Sequence, residues 1–180
     1  MKDSFPILKT ERTSLREIEE KDLANVFAGL SHPEVIRYYG VSYSSLEATR
    51  KQMSWFKEGK QRWWAICSLD NQIFYGAAGL NDLDNQAKKG EIGFWLLPQF
   101  WGRGIILEAV PKIVDYGFNQ LNLHRIEAFV ETENANSKKV MNKLDFRLEK
   151  TLWNSELKNG KSISLDVYSK TNLAFKEDEF

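Results

Sequence analysis

A strand-like run that passes through a glycine-containing turn directly into a long amphipathic helix constrains this chain more than any other feature. The run covers residues 91–97, the turn is Gln99-Phe-Trp-Gly102-Arg103-Gly104, and the helix, residues 104–120, has its apolar residues on one side. Glycine lets a backbone approach a ligand closely. The free N–H groups of a first helical turn bind phosphate groups. The segment therefore predicts a phosphate or pyrophosphate site, to which Arg103 adds a charge-assisted contact, unless the glycines only form a tight turn.

The spacing around these glycines excludes two familiar phosphate-binding motifs. A dinucleotide fingerprint needs a third glycine three residues beyond Gly104, where this chain has Leu107. A P-loop needs a glycine five residues ahead of Gly160-Lys161-Ser162, where the chain has Ser155. A phosphate site at Gly102 and Gly104 therefore belongs to another class.

Hydrophobic periodicity along the chain predicts a mixed α/β sheet in a single domain, residues 1–180, with only residues 176–180 frayed. The predicted strands cover residues 7–18, 63–67, 73–80, 91–97, 125–130, 146–153 and 162–171. The predicted helices cover residues 20–30, from an N-cap at Ser44 or Ser45 to about 57, 104–120 and about 136–144. Pro111 predicts a bend or local break in the long helix, and Asn159-Gly160 predicts a tight hairpin between the last two strands.

Balanced charge and few cysteines and histidines exclude several classes of protein. The 180 residues include 25 basic and 25 acidic ones, whereas nucleic-acid-binding domains normally carry a basic excess, so we expect no nucleic-acid partner. Cys67, His32 and His124 are the only residues of their kinds, which excludes a Cys/His zinc site and a CxxC redox pair. The sequence contains no apolar run of roughly 18 residues, as a membrane span requires, and its charged first residues lead us to expect no secretory signal. We therefore expect a cytoplasmic protein without a membrane partner.

The turn Gln99-x-x-Gly102-x-Gly104 resembles the acyl-CoA pyrophosphate loop of the GNAT N-acetyltransferase superfamily. Further segments resemble its Rim branch, the ribosomal-protein N-terminal acetyltransferases, in the same order along the chain. These segments are Leu8-Lys-Thr10-Glu11-Arg12-Thr-x-Leu15-Arg16, Glu91-Ile-Gly-Phe-Trp-Leu, Trp101-Gly-Arg-Gly-x-x-x-Glu108-Ala109, and His124-Arg-Ile-Glu-Ala followed by Glu133-Asn134-x-x-Ser137. The resemblance extends from about residue 8 to about residue 170.

The resemblance implies the GNAT fold, a mostly antiparallel twisted sheet with helices on both faces and a V-shaped splay between two parallel strands. The splay would hold acetyl-CoA, used as a co-substrate without a metal. A backbone N–H near Leu96 or Leu97 would polarise the thioester carbonyl as an oxyanion donor. The residues implied to bind the cofactor are Leu96, Leu97, Gln99, Gly102, Arg103, Gly104, Ile105 and Asn134.

The resemblance also implies two catalytic residues. Glu91 matches a glutamate common in the branch and would act as general base or amine-binding carboxylate. Because an ordinary glutamate pKa of about 4.3 suits a base poorly, a water relay, a raised pKa or electrostatic positioning all stay open, as does a merely solvated charge. Ser137 would protonate the departing thiolate, since Met141 stands where many members have a tyrosine. Without the resemblance, Asn134 and Ser137 are equally typical of a helix cap.

We therefore expect direct acetyl transfer to a primary amine in a ternary complex, without a covalent intermediate at Cys67. A protein N-terminal α-amine is favoured, because deprotonating lysine at neutral pH costs about 3.5 kcal/mol more. Polyamines and antibiotics remain alternative acceptors. Leu107, Met141 and Asp145 depart from the family pattern and leave open a non-catalytic module that senses acyl-CoA. A homodimer is our expectation for the quaternary structure.

Overall fold

The computed structural model describes residues 5–175, which form eight strands and five α-helices. The strands are β1 Leu8–Lys9, β2 Thr13–Glu17, β3 Arg62–Ser68, β4 Phe74–Asp84, β5 Lys89–Leu96, β6 Arg125–Glu131, β7 Arg147–Lys158 and β8 Lys161–Thr171. The helices are α1 Leu23–Leu30, α2 Pro33–Ile36, α3 Leu46–Trp55, α4 Ile105–Asn119 and α5 Ala135–Lys143. Short 3₁₀ turns cover Glu20–Asp22, Pro98–Phe100 and Leu173–Phe175. The predicted frayed segment, 176–180, lies outside the described residues.

All eight strands belong to one mixed sheet in the order β1-β2-β3-β4-β5-β6-β8-β7. Neighbouring strands are antiparallel except β5 and β6, which are parallel. Those two strands pair only at Lys89 with Arg125, Gly90 with Ile126 and Glu91 with Glu127. Beyond Glu91 the ladder between them ends while both strands continue. This opening confirms the predicted splay between two parallel strands.

Helices cover both faces of the sheet, as expected. One core lies between the sheet and α4 and includes Trp64, Leu80, Ile92, Val110 and Ile113. The other lies under α1, α2 and α3 and includes Val26, Trp63, Ala77, Met53 and Trp95. Since alternate residues of a strand face opposite sides, Trp63 and Trp64 anchor different cores. The α4 core places the start of that helix next to the open end of β5.

The N-terminal part of the chain differs from the sequence prediction. The strand predicted for residues 7–18 is two short antiparallel strands, because Thr10 and Thr13 close a turn between them. The Thr10 N–H donates to the Thr13 carbonyl at 2.9 Å, and the two hydroxyls are hydrogen-bonded at 2.7 Å. The helix predicted for 20–30 begins with a 3₁₀ turn before α1. Pro33 starts the additional short helix α2, whose N-cap is His32.

The remaining helix and hairpin predictions are confirmed in most details. Ser45 caps α3 by accepting a hydrogen bond from the Ala48 N–H at 3.1 Å. Asn159 and Gly160 both have positive φ and form the predicted hairpin turn. Of the bend or local break predicted at Pro111, the break does not occur, since α4 runs through it from residue 105 to residue 119. Burial of the neighbouring Val110 and Ile113 against the sheet holds the helix together there.

Candidate active site

The open edge of β5 directs the backbone amide of Leu96 into the splay. The Leu97 N–H donates to the Tyr75 carbonyl of β4 at 2.9 Å, so this amide is engaged within the sheet. Because backbone groups alternate along a strand, the N–H and C=O of Leu96 point to the opposite side, into the splay. The Leu96 carbonyl accepts a hydrogen bond from the Trp101 indole Nε1 at 2.9 Å. Of the two amides proposed as oxyanion donors, Leu96 therefore has the required direction and Leu97 does not.

The turn after β5 brings its backbone to the start of α4 in a strained conformation that favours glycine. Gly102 and Gly104 have φ values of 73° and 75°, and Gly104 is the N-cap residue of α4. A Cβ on Gly102 would meet no atom within 4 Å, so open space lies beside the turn. The Arg103 guanidinium stacks over Phe100, 5.5 Å from the ring centroid. The side chain of Ile105 is buried in the α4 core, which leaves its backbone N–H as the group it can offer a ligand.

Asn134 and Ser137 form a hydrogen-bonded pair at the start of α5, which follows β6 as α4 follows β5. Asn134 Oδ1 accepts from the Ser137 N–H at 3.1 Å, which is the cap interaction. Asn134 Nδ2 also donates to Ser137 Oγ at 2.9 Å. Because Oγ accepts in that bond, the hydroxyl proton of Ser137 stays free to be donated elsewhere. The pair therefore caps the helix and also presents a proton donor at the end of the splayed strands.

Glu91 lies at the vertex of the splay, at the last residue pair between β5 and β6. Burial raises the pKa of Glu91 to about 7, and the negative charges of Asp82, Glu127 and Glu156 act in the same direction. The side chain of Asn81 on β4 opposes the shift. A carboxyl with this pKa is half ionised near neutral pH, which is suited to general acid–base work. A raised pKa was one of the alternatives left open by the sequence, and the burial of Glu91 supports it.

Two residues near Glu91, Glu156 and Tyr39, carried no recognisable signal in the sequence. Glu156 lies on β7, 65 positions further along the chain than Glu91, and its negative charge contributes to the raised pKa of Glu91. Within residues 5–175, Asp82 and Glu156 form no ion pair, whereas Glu127 pairs with Arg125 at 2.9 Å. Tyr39 is the other addition, because burial and then the charge of Glu91 raise its pKa. Only a prediction of the packing of β7 and of α2 against the sheet could have identified these residues.

Cys67 is unsuited to covalent catalysis. Its side chain is fully buried in β3, and burial raises the pKa of the thiol to about 11. A thiol with that pKa remains protonated at neutral pH and is a poor nucleophile. Across residues 5–175, no three His, Cys, Asp or Glu side chains are grouped so that they could hold a metal ion. No helix in the same range has the length and apolar character to cross a membrane.

An open pair of parallel strands, followed by a glycine turn and a helix N-terminus, is the arrangement of an acyltransferase that takes its acyl group from CoA. Comparison with known families agrees with this class. The profile of the Acetyltransferase (GNAT) domain matches residues 12–147. The chain belongs to the GNAT acetyltransferase family and is an N-acetyltransferase by its homology.

Individual relatives support the same assignment. An uncharacterized N-acetyltransferase, YoaA of Bacillus subtilis, is 35% identical over 170 residues, which cover 92% of this chain and 96% of YoaA. A putative ribosomal N-acetyltransferase of B. subtilis, YdaF, is 33% identical over 94 residues, covering 52% of this chain and 51% of YdaF. A spermidine N-acetyltransferase from Vibrio cholerae, solved with CoA and spermine, superposes with a TM-score of 0.82 at 19% identity, covering 90% of this chain and 96% of that one.

GNAT enzymes use acetyl-CoA, and the residues of this chain fit that co-substrate. The Leu96 amide is directed into the splay, where an extended chain of amides can pair with a strand edge. The first-turn N–H groups of α4 and the open space beside Gly102 suit a pyrophosphate. Leu107 lacks the hydroxyl that many members have there, which removes one phosphate contact without blocking the turn.

Proposed function

We propose that this chain transfers an acetyl group from acetyl-CoA directly to a primary amine, and that a protein N-terminal α-amine is its preferred acceptor. The observation that carries this proposal is a carboxyl of pKa about 7, Glu91, at the vertex of the splay. The Rim-like sequence segments and the similarity to the putative ribosomal N-acetyltransferase YdaF support the choice of acceptor. The buried, protonated thiol of Cys67 supports direct transfer in a ternary complex.

Binding of acetyl-CoA is assigned to the open edge of β5 and the turn that follows it. The backbone amides of Gly104 and Ile105, with the side chains of Gln99 and Arg103, bind the pyrophosphate, and Gly102 supplies the required backbone shape. Leu97 lines the site through its position beside Leu96 rather than through its engaged amide. Acetyl-CoA supplies the activated thioester. The Leu96 N–H donates to the oxygen on which negative charge develops.

Glu91 removes the proton from the acceptor amine through ordered water. Leu96 lies five positions beyond Glu91 along β5, about 16 Å in an extended strand. This distance is too long for a direct contact between the carboxylate and an amine that reacts beside Leu96. A relay needs the amine to lose its proton easily. An α-amine does so at neutral pH at about 3.5 kcal/mol lower cost than lysine, which matches the modest basicity of Glu91.

Ser137 protonates the leaving thiolate, and Asn134 holds it in place. The hydrogen bond from Asn134 Nδ2 fixes the serine oxygen as an acceptor and directs its proton away from the cap. Met141 has no proton to donate at the position used by many family members, so we assign this role to Ser137 in the first turn of α5. Both residues lie where α5 begins, just beyond β6.

The test is a thiol-release assay with acetyl-CoA and matched acceptors. The panel contains peptides with a free N-terminus, the same peptides with a blocked N-terminus and an internal lysine, spermidine and an aminoglycoside. We expect the highest kcat/KM for free N-termini. Higher kcat/KM for spermidine or the aminoglycoside would overturn the choice of acceptor, and acetyl-CoA binding without turnover on any amine would favour the acyl-CoA sensor.

A polyamine is the second candidate acceptor, and a specific observation favours it. Asp82 and Glu156 are carboxylates near Glu91 that form no ion pair among the described residues, so they can receive the second ammonium group of a polyamine. The similarity to the Vibrio cholerae spermidine N-acetyltransferase points the same way. Glu156→Gln separates the candidates, because it raises KM for spermidine if the polyamine is the acceptor and leaves KM for a monocationic peptide unchanged.

We also propose a cytoplasmic homodimer. Neutral charge and a single thiol are compatible with the cytoplasm. For the dimer, β7 is the terminal strand of the sheet, and its Trp153 and Leu157 are 75% and 80% exposed. Light scattering of the wild type and of Trp153→Lys tests this arrangement. A monomeric wild type at all concentrations would contradict it.

A further inference from the structure

An ion pair joins the turn between β1 and β2 to the first turn of α4. The guanidinium of Arg12 pairs with the carboxylate of Glu108, which is 96 positions further along the chain. Thr10 Oγ1 donates to the other oxygen of that carboxylate at 3.0 Å. Arg12 Nη2 also donates to the backbone carbonyl of Arg103 at 2.9 Å. One side chain therefore contacts both α4 and the glycine turn in front of it.

The contact to Arg103 bears on the shape of that turn. Arg103 lies between Gly102 and Gly104, both in the left-handed region. The Arg103 carbonyl and the Gly104 N–H belong to the same planar peptide unit. A hydrogen bond that holds the carbonyl oxygen therefore also sets the direction of the Gly104 N–H. A Cβ on Gly104 would lie 3.4 Å from Arg12 Nη2, which shows how closely the guanidinium approaches the turn.

The contact to Glu108 bears on the charge of the same site. Glu108 is the acidic residue in the first turn of α4, where a carboxylate stabilises the helix dipole. The same carboxylate would repel a phosphate group bound at that helix N-terminus. Arg12 lowers the pKa of Glu108, which keeps the carboxylate ionised, and at the same time neutralises its charge. The pair thus retains the benefit to the helix without a net negative charge beside the phosphate site.

We propose that Arg12 is a positioning residue for CoA, which orients the Gly104 amide through the Arg103 carbonyl and neutralises Glu108 beside the pyrophosphate. This inference rests on the proposed function, since it assigns the turn to CoA. Arginine is required, because a planar guanidinium donates in two directions from a fixed fork and a lysine ammonium does not. Arg12 does not contact the reacting atoms, so its effect is on affinity for the pyrophosphate.

The test compares two acetyl donors that differ in the pyrophosphate. Acetyl-CoA carries it, whereas S-acetylpantetheine has the same thioester without any phosphate. For Arg12→Gln we expect the Kd for acetyl-CoA to rise on the order of tenfold or more, as loss of a charged hydrogen bond implies. We expect kcat/KM with S-acetylpantetheine and KM for the amine to stay at the wild-type values.

Matched variants separate position from charge. Lys9→Ala removes a positive charge from the same part of the chain outside the ion pair, and we expect wild-type affinity. Arg12→Lys should lose affinity nearly as much as Arg12→Gln, because it keeps the charge and loses the fork. Adding Glu108→Gln to Arg12→Gln should recover part of the loss, since it removes the uncompensated carboxylate. Thermal unfolding of each variant verifies the fold; Arg12 is half exposed, so we expect little change.

Three outcomes would overturn the inference. An equal fall in kcat/KM with both donors would mean that Arg12 supports the fold or the chemistry rather than the pyrophosphate. Unchanged affinity in Arg12→Gln, in an enzyme that binds and turns over acetyl-CoA, would refute the inference and leave the proposed function intact. Failure of the folded wild type to bind acetyl-CoA would refute both.

Discussion

Glu91 and Glu127 face each other as the last residue pair that joins the parallel strands β5 and β6. Two carboxylates at this position would repel each other if both were ionised and unpaired. Arg125 Nε pairs with Glu127 at 2.9 Å, whereas the pKa of Glu91 is raised, first by burial and then by the negative charges of Asp82 and Glu127. The pair therefore places one carboxylate held by an arginine and one carboxyl of raised pKa at the vertex of the splay.

The pKa of Glu91 predicts how activity depends on pH. The base is the ionised form, so kcat/KM should rise with pH through a midpoint near 7 and then level off with respect to this group. Glu91→Gln should lose this ionisation and lower kcat on the order of a hundredfold, the low end of general-base contributions. The measurement is a pH–rate profile at saturating acetyl-CoA for wild type and variant.

A control and a contrary result complete that experiment. Glu58→Gln removes one exposed carboxylate far along the chain, after α3, and should keep the wild-type profile. If Glu91→Gln retains the wild-type rate and pH midpoint, Glu91 is not the base.

The same pKa predicts an effect on stability with the opposite sign to that of most carboxylates. Glu91 has a higher pKa in the folded protein than the ordinary value of 4.5, so the folded state binds its proton more tightly. The wild type should therefore lose stability as pH rises from about 4.5 to about 7 at this residue. Glu91→Gln cannot ionise and escapes this loss.

Thermal unfolding at two pH values checks the sign. At pH 8 we expect a higher Tm for Glu91→Gln than for the wild type, and at pH 5 a smaller difference. If the Tm of Glu91→Gln relative to the wild type is lower at pH 8 than at pH 5, burial of Glu91 is not the cause of its raised pKa.

Features set by neighbouring residues could be predicted from the sequence. The cap of α3 at Ser45, the hairpin at Asn159 and Gly160, and the glycine turn before α4 each depend on residues within a few positions. The left-handed φ of Asp145, 58°, also agrees with the tolerance of aspartate for the place where the family has glycine. The splay itself came from resemblance, because no local pattern encodes where two parallel strands separate.

Features set by distant contacts could not be predicted in the same way. The raised pKa of Glu91 depends on Glu156 of β7 and on the depth of burial, neither of which its strand reveals. The contact between Arg12 and Glu108 joins segments recognised separately as similar to the Rim branch, without any indication that they meet. Pro111 is a local signal that was overridden, since packing of α4 on the sheet outweighs the loss of one backbone donor.

Two glycines with the same backbone angle allow the turn before α4 to be tested against a matched site. Gly104 and Gly160 both have φ of 75°, one at the N-terminus of α4 and the other in the β7–β8 hairpin. Alanine at either position should cost roughly 1 kcal/mol of stability, because an L-residue is disfavoured there. Calorimetric titration should show weaker acetyl-CoA binding for Gly104→Ala alone. Equal affinity in the two variants would argue against CoA at this turn.

Substitutions at Ser137 and Asn134 can separate helix capping from catalysis, because the cap uses the side chain of Asn134 and only the backbone N–H of Ser137. Asn134 Oδ1 accepts from the Ser137 N–H, which alanine at residue 137 would retain. Ser137→Ala loses only the hydrogen bond from Asn134 Nδ2 to Oγ, so it should cost less stability than loss of the cap, and it should lower kcat because the proton donor for the thiolate is lost. Asn134→Ala removes the cap and should cost about 1 kcal/mol of stability.

The rate of Ser137→Ala should recover with an acetyl thioester of a more acidic thiol, whose thiolate leaves without protonation. If Ser137→Ala instead loses stability and keeps its rate, the pair is only a helix cap, and the proton for the departing thiolate comes from another group or from water.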